Sequence, residues 1–279
     1  MRAKRIVAVI GLGHMGRLHA HKLAERGDLS LRFVDPALGF DDPLHDIDLA
    51  VIAAPTSLHV ALAAPLLERG LPCLVEKPLA ASVVEATPLA HHPHLSVAHV
   101  ERFNPALAAL EGCAPRFVSA ERLSPFSVRG TDVDVIADLM IHDLDLAAAL
   151  LGGPLREARA LGIGVRSGKL DLCNARLELG SGVAQLSASR VSPERVRRLR
   201  VFEEGRYTSL DLLRGTAHRV RWGQGELEGE PVALPRTDAL RALHAAWLAA
   251  ADGGPAFPVG GAEALFSLSL AEAIRAAMG

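Results

Sequence analysis

Ile6-Val7-Ala8-Val9-Ile10-Gly11-Leu12-Gly13-His14-Met15-Gly16 decides the fold: an apolar run of buried-strand length halts at a glycine and passes into Gly-x-Gly-x-x-Gly, with a helical pattern from Met15 to about Arg26. A strand, a tight turn and a helix follow from that pattern. Each glycine answers a different demand. Gly11 permits the sharp turn, Gly13 lets the backbone approach a pyrophosphate, and Gly16 lets helix and strand pack closely. The positive end of the helix dipole then faces the phosphates, with His14 and Met15 meeting the ligand through their backbone. A second run, Leu31-Arg32-Phe33-Val34, ends in Asp35, nineteen residues beyond Gly16, where a carboxylate accepts hydrogen bonds from the adenosine ribose. Such a carboxylate repels a 2′-phosphate, so Asp35 favours NAD over NADP; the alternative is that it only caps the turn at Pro36.

Outward from this unit, strand-like and helical stretches alternate, the mark of a parallel sheet covered on both faces. Asp48 to Ala54 is the next central strand, closed by Pro55-Thr56, and a helix runs from about Ser57 to Arg69. The connection between Asp35 and Asp48 is short and rich in Pro and Asp, leaving room for at most a short helix around Pro43 to Asp46. Pro72 to Val75 leads into Glu76-Lys77-Pro78; Ser82 to His92 reads as a helix interrupted at Pro88, and Leu95 to Val100 as a strand. The domain boundary is expected between about Pro105 and Arg116, giving domains 1–113 and 114–279.

Past that boundary the rhythm changes. Arg116 to Leu123 reads as a strand and Val133 to Leu151 as a long helix. Five or six strands follow, broken near Gly168, Gly180-Ser181-Gly182, Ser192-Pro193, Glu204-Gly205 and Gly215. Closing helices are expected over Arg236 to Ala251 and Ala262 to Met278. The fold class is therefore α/β: an N-terminal Rossmann doubly wound parallel sheet, then a C-terminal α+β domain with an open, mostly antiparallel sheet. Helices cover one of its faces, and the other is available to another subunit.

Charge narrows the partners. Lys plus Arg number 30 against 32 Asp plus Glu, so no global field draws the chain to nucleic acid or an anionic membrane. No segment has the length of a membrane span, and the basic start, Met1 to Arg5, is followed by too short an apolar run for an export signal. Cys73, Cys113 and Cys173 are odd in number and far apart, which suggests reduced thiols in a cytoplasm. A small molecule is the expected partner.

Candidate chemistry gathers in two places. The first is the carboxyl edge of the parallel strands, where ligands bind in such sheets. Ala54, Pro55, Thr56 and His59 fall there, with His59 either packing the helix start or touching cofactor; Glu76 and Lys77 end another strand. A lysine there can reach a substrate oxygen and favour an alkoxide during oxidation. The second is the long helix, where Asp138, His142 and Asp145 recur at i, i+4 and i+7, with Asp138 and His142 about 6 Å apart along the axis. A histidine there can take a hydroxyl proton while Asp138 orients it; the competing reading is a solvated stripe. One histidine without a His-x-x-x-His pair makes a poor metal centre, so no metal is expected.

Other histidines and arginines read more plainly. His19 and His21 are expected at the surface, and His91, His92 and His94 in a polar turn around Pro93. Arg102, Arg122 and Arg129 lead toward the long helix, while Arg190, Arg195, Arg197, Arg198 and Arg200 load one hairpin region that only Glu194 offsets. Guanidinium forks match phosphate oxygens, so that second group suits either a phosphorylated substrate or an ordinary solvated strand face.

Gly11-Leu12-Gly13-His14-Met15-Gly16, then Glu76-Lys77-Pro78, then Asp138 with His142 four residues on, together resemble the glucose-fructose oxidoreductase, inositol dehydrogenase and MocA family. The resemblance implies a nicotinamide cofactor on the N-terminal domain, and a C-terminal sheet that floors the substrate and joins subunits into a homodimer or homotetramer. It also implies that Lys77 is the motif lysine, and that Asp138 and His142 flank the reacting hydroxyl. Val100-Glu101-Arg102-Phe103-Asn104-Pro105 and Asp138 to Asp143 look most like the branch that oxidises the 3-hydroxyl of UDP-N-acetylglucosamine, which places Arg102 and Asn104 at the substrate. The expectation is an NAD-dependent sugar or nucleotide-sugar dehydrogenase. Its rivals are an inositol or free-sugar dehydrogenase, an enzyme that recycles tightly held NAD, and a non-catalytic NAD-binding regulator.

Overall fold

The apolar runs of the first hundred residues are buried on both sides, and each becomes a strand of one parallel sheet in the computed structural model, which describes residues 4–127, 133–222 and 227–279. Met1, Arg2, Ala3 and Arg129, used in the sequence reading, lie outside the described residues. The elements in order are β1 (Arg5–Ile10), α1 (His14–Ala24), β2 (Leu29–Asp35), β3 (Phe40–Asp41), β4 (Leu49–Ile52), α2 (His59–Glu68), β5 (Cys73–Glu76), α3 (Val83–Ala86) and β6 (Leu95–Ala98). The strand order is β3-β2-β1-β4-β5-β6, parallel throughout except for the β2–β3 pair. The order reverses between β1 and β4, so the crevice at their carboxyl ends is where a ligand belongs.

Two stretches depart from regular helix. No helix forms over Pro43 to Asp46; Pro36 starts a 3-10 turn (Pro36–Leu38), Gly39 at φ 76° reverses the chain, and β3 returns antiparallel with Phe40 opposite Asp35. The stretch from Ser82 yields one capped turn, α3, and a 3-10 turn (Thr87–Leu89), because Pro88 lacks the N–H that a continuing helix needs.

By contacts the chain divides into Met1–Phe103 with Asp238–Leu265, and Asn104–Thr237 with Phe266–Gly279. The expected boundary at 113/114 assigned everything after it to the second domain, whereas α5 (Ala239–Ala251) joins the first. Its apolar side chains explain why: Leu243, Trp247 and Leu248 share one buried cluster with Val7, Val9, Leu23, Leu49 and Val51. Ion pairs from Lys22 to Asp238 at 3.1 Å and from Arg241 to Glu25 at 2.6 Å flank that contact.

The second unit contains β7 (Phe117–Leu123), α4 (Ile141–Leu151), β8 (Leu155–Ile163), β9 (Leu172–Leu179), β10 (Gly182–Ser189), β11 (Val196–Glu203), β12 (Arg206–Asp211), β13 (Thr216–Trp222), β14 (Leu227–Pro231) and the final helix α6 (Gly261–Ala276), which begins in the first unit. Among the described residues seven strands follow α4 rather than five or six. Their order is β14-β13-β12-β11-β7-β10-β9-β8, with only β7 and β10 parallel. Period-two alternation sends Val118, Ala120, Leu177, Leu186, Leu199 and Val201 to one face, where they meet Ile141, Leu144 and Leu151 of α4 and Leu270 and Ile274 of α6. Leu161 and Ile163 of edge strand β8 stay exposed.

Candidate active site

At the carboxyl end of β1 the glycines behave differently from one another. Gly11 adopts φ +89°, and a Cβ there would stand 2.7 Å from the Ala53 carbonyl. A Cβ on Gly16 would stand 1.8 Å from the Gly11 oxygen, so that residue admits no side chain while the turn keeps its shape. Gly13 is exposed, and a Cβ on it would meet nothing within 4 Å. The protein's own packing does not demand glycine there; the space a side chain would fill lies open at the helix start, as approach of a pyrophosphate requires. His14 is exposed and Met15 half-buried on the same turn.

Asp35 reaches this turn directly, Oδ2 accepting the Leu12 backbone N–H at 2.7 Å. Its carboxylate is thus held beside the glycines rather than spent on capping the Pro36 turn, which has no side-chain cap. Next to it, Leu12, Arg17, Phe33, Leu38 and Phe40 line an apolar recess of about 370 Å³. Leu38 and Phe40 are half exposed there, brought in by the short β3 return. The spacing after Asp35, with room for at most a short helix, carries no sign of this hairpin wall. These residues fit a dinucleotide: a backbone cradle for phosphates, a carboxylate for ribose and an apolar wall for a base.

Ala54, Pro55 and Thr56 follow β4 at the same edge. His59 is buried, and its ring nitrogens lie 2.8 Å from the Ala54 carbonyl and 2.9 Å from the Pro78 carbonyl. Its ring is engaged by backbone on both sides, so it braces the loop after β4 against the loop after β5, as the packing reading of this residue has it. Glu76 ends β5 and is buried; Lys77 follows it, half-buried, and its N–H donates to Glu76 Oε2 at 3.2 Å. His19, expected at the surface, is fully buried against Glu76. The signal was available: Gly16, His19 and Leu23 form the inward face of α1.

In the second unit the residues ahead of α4 form a π-helical turn (Ile136–Met140), in which the Ile141 N–H bonds to the Ile136 carbonyl, five residues back. The inserted residue breaks the phase on which the i, i+4, i+7 stripe rested. Asp138 lies in that turn and His142 in the first turn of α4, both half-buried, whereas Asp145 is fully buried. The solvent-or-cleft face expected of all three is thus limited to Asp138 and His142. Asp134 fixes the entry: its Oδ1 accepts the Ala137 N–H at 2.9 Å and its carboxylate takes both forks of Arg275 at 2.7 and 2.9 Å.

Asp143, not singled out from sequence, takes a bidentate pair from Arg122 at 2.9 and 2.8 Å, with both side chains buried. Arg122 shares the inward parity of Val118 and Ala120, and a guanidinium at a core position calls for a carboxylate. Arg102 is half-buried in a 3-10 turn (Val100–Phe103). Asn104, expected at the substrate, serves as a cap: Oδ1 accepts the Ala106 N–H at 3.1 Å and Nδ2 donates to the Leu212 carbonyl at 2.9 Å.

The arginine-rich hairpin separates into different jobs. Arg190 is buried on Asp171 at 2.9 Å and donates to the Val133 and Leu170 carbonyls, holding the approach to the π turn. Arg198 reaches Glu121 at 3.7 Å, and Arg200 shares its face, away from α4. Arg197, exposed, stands opposite Arg122 on the face that carries α4. Among the described residues no group of three or more His, Cys, Asp or Glu side chains could hold a metal ion, and no helix is long and apolar enough to cross a membrane.

Known proteins share this pattern. A family described as "Oxidoreductase family, NAD-binding Rossmann fold" matches residues 33–93. UDP-N-acetylglucosamine 3-dehydrogenase of Acidithiobacillus ferrooxidans is 39% identical over 264 residues, 84% of either chain. Its solved structure superposes with a TM-score of 0.88 at 35% identity, covering 99% of this chain and 98% of that one. The myo-inositol dehydrogenase Hyg17 of Streptomyces leeuwenhoekii is 28% identical, with 91% of either chain covered. With 39% identity over 84% of either chain to one of its members, the chain belongs to the glucose-fructose oxidoreductase, inositol dehydrogenase and MocA family of NAD-binding oxidoreductases.

Proposed function

We propose that the protein oxidises a secondary hydroxyl of a nucleotide sugar, with the 3-hydroxyl of UDP-N-acetylglucosamine as the first substrate to try. The observation that carries this reading is the likeness of 39% over 84% of either chain to an enzyme named for that reaction. Bound NAD supplies the hydride acceptor. Asp35 holds the ribose and excludes a 2′-phosphate, the glycine turn receives the pyrophosphate, and the recess at Phe33 and Phe40 receives the base. His142 takes the hydroxyl proton as the carbon is oxidised, Asp138 orients the imidazole, and the Lys77 ammonium stabilises the developing alkoxide. Arg102 lies at the sugar, and Arg197 offers a guanidinium to the diphosphate from the face that carries α4. A homodimer or homotetramer forms through the open face of the second sheet, where Leu161 and Ile163 are exposed.

The test is NADH absorbance across UDP-sugars, free sugars and inositols, repeated with His142→Ala. The expected result is turnover on UDP-N-acetylglucosamine that the variant lowers by about 10²- to 10⁴-fold. Near-normal turnover in that variant removes the assigned base. Best turnover on an inositol moves the chain to the reaction named for the 28% identical relative, and NAD binding without turnover on any alcohol makes it a regulator.

A further inference from the structure

Within the apolar core of the first unit, α1, α5 and β5 share a chain of polar side chains. His19 Nε2 lies 2.8 Å from Oε1 of Glu76, and His19 Nδ1 lies 2.7 Å from Nε2 of His244. Their exposures are 0%, 7% and 2% for His19, Glu76 and His244. The neighbouring helical positions Leu243 and Leu248 and, on α1, Leu23 are apolar and buried, and Trp247 is buried beside them. A contact needed only to join two helices to a strand is made as well by apolar side chains of the same volume, and without desolvating three polar groups. What the polar chain adds is direction.

That direction can be followed atom by atom. A carboxylate only accepts, so His19 donates from Nε2, and the contact between the rings carries one proton. Burial pushes His244 down to about 3, so its ring is neutral at the far end of the chain. At the near end, Glu76 Oε2 accepts the backbone N–H of Lys77 at 3.2 Å. The chain therefore runs from α5 through α1 into the peptide that bears the lysine. His59 braces the chain two peptides further on, through the Pro78 carbonyl.

We propose that His19 and His244 are positioning residues for Lys77: they aim the Glu76 carboxylate so that it fixes the Lys77 peptide, and with it the ammonium, at the carboxyl edge of β5. The inference rests on Lys77 acting at the reacting hydroxyl, but its geometry lies wholly within the first unit. It makes the reactivity of one lysine depend on two imidazoles that touch neither cofactor nor substrate.

The experiment has two arms. In the first, the rate of reductive methylation of Lys77 in the full chain is followed by peptide mass spectrometry, with exposed Lys169 of the second unit as reference. His19→Ala should change the Lys77 rate several-fold and leave Lys169 unchanged. His19→Gln, whose amide carries a donor toward Glu76, should restore it. In the second arm, kcat in His19→Ala should fall by up to about 100-fold, the cost of misplacing a catalytic group by about 1 Å, with NAD affinity nearly unchanged. Should His19→Ala not fold, His244→Leu keeps the His19–Glu76 bond and should shift both readouts in the same direction by less. An unchanged Lys77 rate, or no rescue by glutamine, overturns the proposal and leaves the chain a structural tie. If the wild type oxidises no sugar at all, the reaction assignment fails while the labelling arm still decides the positioning.

Discussion

The first unit makes its binding edge by leaving side chains out, and the second makes its edge by anchoring charged ones. Around Gly11 and Gly16 the backbone comes so close to itself that only hydrogen fits, while the position of Gly13 between them stays open. Around α4 the groups proposed to act are side chains, and the segments that carry them are held by buried or half-buried ion pairs: Arg122 with Asp143, Arg190 with Asp171, and Arg275 with Asp134. Steric construction depends at Gly16 on a carbonyl five residues back and at Gly11 on the backbone of Ala53, and glycine marks both positions in the sequence itself. Electrostatic construction depends on partners many residues away, and it fails by a different route.

The sharpest break in this contrast comes from two glycines three residues apart. Gly16→Ala drives a methyl into the Gly11 carbonyl, so the turn must open; NAD binding should fall below detection by calorimetry, and the melting temperature of the NAD-free protein should drop. Gly13→Ala meets nothing within 4 Å, so it should leave that melting temperature unchanged and weaken NAD alone. If both variants lose stability equally, the open space at Gly13 is not a ligand cradle. The electrostatic counterpart is Arg122→Ala, which strands a buried carboxylate and should cost about 3–5 kcal/mol in denaturant unfolding. The joint replacement Arg122→Met with Asp143→Leu should cost much less, because it removes both charges together.

The same contrast governs how much could be read from the sequence. The parallel sheet, the glycine turn, Asp35 and the placement of Glu76-Lys77 at a strand end follow from local spacing, and they stand where the spacing puts them. The stripe Asp138, His142, Asp145 does not, because a π turn changes the helix phase and periodicity alone carries no sign of it. α5 went to the wrong unit for a similar reason: its apolar stripe shows that it packs, not against which sheet. His19 and Arg122 are different, since each sits at an inward position of a regular pattern. A polar residue at a core position, with a partner to be sought, was the legible signal there.

A smaller effect sharpens the reading of the ribose contact. Asp35→Ala removes both the repulsion of a 2′-phosphate and the acceptor for the Leu12 N–H. NAD use should weaken while NADP use holds, moving the preference about tenfold, or about 1.4 kcal/mol, in steady-state kinetics with each cofactor. An unchanged ratio would return Asp35 to a purely local role in shaping the turn.

The smallest expected effect separates the units by their response to mild acid. Burial pushes His244 down to about 3, while the unfolded chain binds that proton near 6.5. Its contribution is therefore complete above about pH 6.5 and is lost as pH falls toward 3, amounting to about 0.7 kcal/mol between pH 7 and pH 6. Burial acts on Asp171 to raise it, but the Ser167 hydroxyl and the backbone N–H groups of Ser167, Arg166 and Val165 outweigh that and hold it well below the usual carboxylate range. The stability it provides persists until pH drops below about 4, where the unfolded carboxyl protonates. Hydrogen exchange followed from pH 7 to pH 5, after correction for the intrinsic rate, should thus show α5 and β1 losing protection while β9 and β10 keep theirs. His244→Leu should flatten the change in the first unit. Equal loss in both units would mean that the buried imidazole does not set the acid limit, and that the two constructions share one cooperative transition.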